Sequence, residues 1–252
     1  MKMLKLNNYD FKFEKLFKKA PITIDIRLKH IKDSTVDYEV KVNAARILSY
    51  KYQDLAYAHY VLENYTEAKL YLKKAAPFAY LTGFDSELKG HNNEWTIQGE
   101  LNVALLFGDD SIISKLRAHA DDFTTSSVTK KAIFLYDHLL IKIGTGKVPP
   151  EEEIENALNE AKSTKDKDVQ QCIVPLIEAI KGLTIGDDLL WQSSIDKVIA
   201  WHADECKYGD FKEDGNAVMS LNGLSMAKLG KDMHGWQCKT DSLYLPLYLI
   251  ND

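Results

Sequence analysis

Apolar residues recur at three- and four-residue spacing along almost the whole chain, with polar residues between them. That period is the signature of helices with one buried face. It predicts helices at about 9–19, 35–62, 66–82, 93–107, 109–119, 128–143, 150–163, 167–185, 187–206 and 215–230. Strand-like alternation is almost absent, and the best instance, ITIDI at 22–26, is short. Gly83, Gly108, Gly144, Gly186 and Gly230 fall at or near the ends of these segments, where a left-handed C-cap favours glycine. The connections are short, as between antiparallel helical neighbours. The expected fold is all-α, a stack of antiparallel helical hairpins forming one domain over 1–252, with 1–40 read as an N-terminal extension.

One hairpin has a recognisable pattern. LAYAHYVLENYTEAKLYLKKAAPF (55–78) closely resembles a tetratricopeptide unit, with Ala58, Ala68 and Ala75 where two helices approach, Tyr65 in the turn and Pro77 after the second helix. Later hairpins lack the pattern, and a solenoid needs three or more such units. PPEEEIENALNEAK (149–162) opens a helix with prolines and glutamates; both suit a helix N-terminus, by pre-set φ and by the macrodipole. At the other end, Pro246 prevents SLYLPLYLI from being a helix or a central strand. An extended C-terminal tail, clasping the last hairpins through its leucines, is expected instead.

Charge alters the picture of partners. Residues 1–60 hold 12 Lys/Arg and 7 Asp/Glu, and residues 61–252 hold 20 and 30. The acidic bulk argues against nucleic acid as a ligand, which needs a basic face, and suits a basic protein; plain solubility would also account for it. No stretch reaches the ~18 uninterrupted apolar residues of a membrane span. MKMLKLNNYDFKFEK at the start lacks the apolar segment of a secretory leader, and three scattered cysteines make no disulfide framework. A cytoplasmic protein with reduced thiols is expected.

The chemical motifs are weak. GTGK (144–147) lacks the insert of a phosphate loop and has Val148 where a Ser or Thr would hold magnesium. HADD (119–122) and YDH (136–138) place carboxylates beside histidines, but adjacent helical residues point apart. His202, Cys206, His234 and Cys238 could form a Cys2His2 zinc set, although each His-x3-Cys pair is mixed. His202 and Cys206 fall on one stripe with Trp191, Ile195, Val198 and Ile199, the pattern of a core-facing side, and His234 falls in an exposed loop. No metal, cofactor or catalytic residue is assigned.

Three segments carry a resemblance. EWTIQGELNVALLFGDDSIISKLRAH (94–119) supplies Trp95, Ala104, Leu105, Asp109 and Leu116; LLWQSSIDKVIAWHADE (189–205) is an aromatic helix; 215–250 supplies Gly223, Leu224, Ala227, Gly235, Ser242, Tyr244, Leu245, Pro246 and Leu249. Over about 90–250 the chain resembles the immunity protein 49 family of bacterial polymorphic toxin systems. The resemblance implies an all-helical protein, not an enzyme, that neutralises a cognate toxin domain by stoichiometric binding, with neither nucleic acid nor membrane as partner. The missing leader implies a toxin acting in the cytoplasm, such as a nuclease. Acidic positions near helix ends, Asp109, Asp110, Asp121, Asp122, Asp187 and Asp188, are the expected contacts. A tetratricopeptide-like adaptor for a peptide or protein is the alternative, and a zinc-dependent or zinc-stabilised domain a third.

Overall fold

The computed structural model describes residues 3–85, 87–88, 97–119 and 131–251. Among them the protein is all-α, with ten α-helices and no strand. Where a single domain over 1–252 is expected, the chain gathers into two compact units, 1–112 with 206–218, and 113–205 with 219–252.

In the first unit α1 (Phe13–Lys32) packs on α2 (Tyr38–Val61), α2 on α3 (Tyr65–Gly83), and α3 on α4 (Ile97–Phe107). Small side chains are buried along both helices: Ala44, Ala45, Ala56 and Ala58 on α2, and Ala68, Ala75, Ala76 and Ala79 on α3, are fully buried. The turn between them is made by Glu63, not by Tyr65. Glu63 takes a left-handed φ of 58°, while Asn64 N–H donates to the His59 carbonyl at 2.8 Å. Tyr65 is already the first residue of α3, its ring 6.1 Å from that of Tyr60. Pro77 lies inside α3, which runs to Gly83 as the periodicity over 66–82 predicts, and not after the helix as the tetratricopeptide-like pattern places it. Burial of Ala79 and Tyr80 beyond it offsets the lost backbone bond.

The first helix, expected over 9–19, runs to Lys32 and includes ITIDI. The isoleucines alternate in sequence, yet burial follows the helical period: Ala20 and Ile24 are buried, whereas Ile22 and Ile26 are exposed. The segment before α1 is tied down by Leu4 N–H to the Val61 carbonyl (2.9 Å) and Asn8 N–H to the Lys212 carbonyl (2.7 Å). Asn7 Nδ2 donates to the carbonyls of Phe211 (2.8 Å) and Asp214 (2.7 Å). An aromatic chain of neighbouring rings runs through Tyr9, Phe11, Phe13, Phe17, His59 and Tyr71.

Helix α5 (Asp110–His119) leads out of the first unit. The second unit holds α6 (Lys131–Gly144), α7 (Glu151–Ser163), α8 (Val174–Ile185), most of α9 (Asp188–Tyr208) and α10 (Leu221–His234). Pro150 caps α7, with Glu151, Glu152 and Glu153 in its first turn; Lys142 Nζ reaches both Glu153 oxygens at 2.9 and 2.7 Å. A π turn (Val169–Ile173) feeds α8, ahead of Pro175. Of the five glycines expected at left-handed helix ends, only Gly186 has that conformation, at φ 74°. Gly235 takes that role for α10, and Gly230 lies inside α10 for a packing reason.

The tail is not the extended segment expected: Leu245 N–H donates to the Ser242 carbonyl at 3.0 Å, closing a turn, and after Pro246 Leu247–Leu249 form one 3-10 turn. Ser220 N–H donates to the Tyr244 carbonyl at 2.7 Å, Lys231 Nζ to the Ile250 carbonyl at 3.0 Å, and Leu245 packs on Gly223. Leu245 and Leu249 are buried, while Leu243 faces solvent.

Candidate functional site

Four of the six expected contact acids fall at two Gly-Asp-Asp sequences, 108–110 and 186–188, and the structure gives both the same local job. Asp109 Oδ1 accepts from Ile112 N–H at 3.0 Å, and Asp187 Oδ1 accepts from Leu190 N–H at 2.9 Å. Each first aspartate therefore satisfies a free amide at the start of the next helix. Asp110 and Asp188 sit in the first turns of α5 and α9, where the helix dipole favours negative charge. All four are exposed. Asp121 and Asp122 lie outside the described residues. The repeated tripeptide was readable in the sequence as a pair of helix starts; the acid alone does not reveal a binding role.

What separates the two sites is their apolar surroundings. Beside Asp109 and Asp110, Phe107 and Ile112 are buried. Beside Asp187 and Asp188, Ile185 is 58% exposed and Leu189 77% exposed. The α8–α9 corner thus presents two aliphatic side chains together with two carboxylates.

The corner is held rigidly. Gly186 closes α8 in the left-handed region, and Asp187 N–H donates to the Gly182 carbonyl at 2.9 Å. A β-carbon on Gly182 would fall 2.8 Å from Trp191 N and 2.9 Å from Asp187 O, so glycine lets the first turn of α9 lie against α8. Trp191, buried below, donates from Nε1 to the Met226 carbonyl at 2.9 Å. His234 is the last residue of α10, not a loop residue. Its Nε2 lies 2.7 Å from the Leu183 carbonyl; a carbonyl can only accept, so Nε2 carries the proton. The His234 ring stacks on Trp236 at 4.2 Å. The two exposed aliphatics thus flank a corner in which the amides of Asp187, Leu190 and Trp191 are all paired.

The other candidate motifs have structural partners. His202 is buried with its ring 5.4 Å from Tyr244, Cys206 donates to the Ala217 carbonyl at 3.3 Å, and Cys238 lies 3.4 Å from Thr240 Oγ1. The stripe of Trp191, Ile195, Val198, Ile199, His202 and Cys206 is buried throughout. Among the described residues no three His, Cys, Asp or Glu side chains gather to hold a metal ion. GTGK ends α6: Thr145 Oγ1 donates back to the Ile141 carbonyl at 2.7 Å, and Arg117 Nε donates to the Thr145 carbonyl at 2.7 Å. Of YDH, Tyr136 and Asp137 are buried; HADD falls largely outside the described residues. No described helix is long and apolar enough to cross a membrane. Comparison of the chain with protein-family models, curated proteins and solved structures finds no match.

Proposed function

We propose that the protein is an immunity protein, which neutralises a cognate bacterial toxin domain by one-to-one binding in the cytoplasm. The observation that carries this reading is the α8–α9 corner, where exposed Ile185 and Leu189 flank Asp187 and Asp188. Interface energy concentrates in apolar anchors, with polar groups around them. Carboxylates beside such anchors favour a partner with a basic surface, such as a nuclease, and speed its approach. The −10 balance of residues 61–252, from 20 Lys/Arg and 30 Asp/Glu, acts in the same direction. The family resemblance of 94–119 and 215–250 supports the same reading. The alanines that carry the tetratricopeptide-like pattern, Ala58 on α2 and Ala68 and Ala75 on α3, are all buried, so packing alone accounts for that pattern.

The test is co-expression with the toxin-like product of the neighbouring gene. Survival of the cells and co-elution of the two purified proteins at one-to-one stoichiometry are expected. Cell death in the presence of soluble, folded protein would sink the reading, and so would separate elution.

A further inference from the structure

A cleft of about 520 Å³ opens in the first unit between the start of α1, α2 and residues 213–216. That size lies in the ~300–1,000 Å³ range of small-molecule sites. The lining from α1 is basic and that from 213–216 acidic, while Lys51 and Asp54 of α2 pair with each other at 2.6 Å. On the basic side, Lys12, Lys15 and Lys19 follow each other from the start of α1, at the spacing that aligns side chains on one helix face. Lys12 is paired with Asp10, but Lys15 and Lys19 have no ion pair with any described residue. On the acidic side stand Glu213 and Asp214; Asp214 Oδ1 already accepts from Asn216 N–H at 2.8 Å. The Tyr9 ring also lines the cleft, 44% exposed. It is fixed edge-on to Phe11 at 4.6 Å and seated against Gly215, where a β-carbon would fall 2.6 Å from it.

This division of charge selects the ligand. A purely anionic molecule would be repelled by Glu213 and Asp214, and a cationic one by the lysines. A molecule with an anionic end and a neutral, planar end rich in hydrogen-bond donors satisfies both sides. We infer that the cleft binds a nucleoside phosphate, its phosphates on Lys15 and Lys19 and its base against Tyr9. The ribose hydroxyls and exocyclic amine then donate to the carboxylates of Glu213 and Asp214. Flexible lysines act as point charges for phosphate, and base–aromatic stacking tolerates any of the bases.

Calorimetric titration of the full-length protein with ATP and, separately, with inorganic pyrophosphate tests the assignment. ATP is expected to bind and to bind more tightly than pyrophosphate. The double variant Lys15→Gln/Lys19→Gln, altered only at exposed side chains, is expected to weaken ATP at least ~tenfold, the loss of about one charge-assisted contact, with an unchanged melting temperature. Tyr9→Leu is expected to weaken ATP and leave pyrophosphate unaffected. Absence of ATP binding at millimolar concentration overturns the proposal. So does pyrophosphate binding as tight as ATP, or ATP affinity unaltered in the double variant.

Discussion

The indole of Trp191 occupies the space above the α-carbon of Gly230, where a β-carbon would fall 2.3 Å from Cζ2. Helix α9 meets α10 through this contact, which the bond from Trp191 Nε1 to the Met226 carbonyl (2.9 Å) fixes in place. In an open helical position, replacing glycine by alanine gains up to ~1 kcal/mol. Here the added methyl overpacks a fully buried ring, so Gly230→Ala is expected to lose ~1–3 kcal/mol. The urea midpoint at unchanged slope measures it, and a gain in stability would show that Trp191 can move aside.

Glu100, on α4, is 2% exposed, and its Oε1 has no hydrogen-bond partner among the described residues. Burial pushes its carboxyl from the ordinary value near 4.5 up to about 7. The folded state therefore holds this proton where the unfolded chain has released it. Below pH 4.5 both states hold the proton and ionisation adds no cost; as pH rises from 4.5 to 7 the group's contribution to stability falls. Above that window the penalty approaches ~3 kcal/mol, because each tenfold difference in proton affinity between the folded and unfolded chain is worth ~1.4 kcal/mol. Glu100→Gln is expected to raise stability at pH 8 and to flatten this slope. Thermal melts of both proteins across pH 5–8 check it, and parallel curves would refute the assignment.

At the α8–α9 corner, stability and binding should separate. Asp187→Ala removes a helix cap and should cost ~1 kcal/mol. Leu189→Asp changes a side chain that is 77% exposed, so it should leave stability within ~0.5 kcal/mol. The same substitution should weaken toxin association at least ~tenfold, because it removes an apolar anchor. Chemical denaturation read beside surface-based binding kinetics distinguishes the two effects. An undiminished complex with Leu189→Asp would move the interface elsewhere.

The tail should show a similar contrast residue by residue. Leu245 and Leu249 are both 2% exposed and Leu243 is 53% exposed. Leu249→Ala should cost ~2–5 kcal/mol and Leu243→Ala less than ~0.5 kcal/mol. Removing 243–252 should cost more than either, since it takes both buried leucines together. An unchanged midpoint for Leu249→Ala would mean that the tail is not docked in solution.

The positions of the helices were legible because their signals are local. The glutamate run after Pro150 starts α7 within a residue of the expected place, and the stripe from Trp191 to Cys206 is the buried side of α9. What was not legible depends on neighbours far along the chain. ITIDI alternates like a strand, but Ala20 and Ile24 find a core on one helix face that leaves Ile22 and Ile26 outside. Pro77 sits after the helix in the tetratricopeptide-like pattern, yet the burial of Ala79 and Tyr80 holds it inside α3. Gly230 looks like a helix end until Trp191, distant in sequence, needs its space. The acidic pairs could be located from sequence, but not ranked, because the exposure of Ile185 and Leu189 distinguishes them.

Neither compact unit is built from one continuous stretch: 206–218 belongs with 1–112, and 219–252 with 113–205. During synthesis the ribosome delivers the first four helices early, yet the segment that receives Asn7 and seats Tyr9 arrives about 100 residues later, after a delay of ~5–20 s at ~5–20 residues per second. For that interval the nascent chain carries an incomplete unit whose partner sequence does not yet exist. A single cut in the gene cannot separate the two units, so fragment complementation would require at least one half to wait, unfinished, for the other.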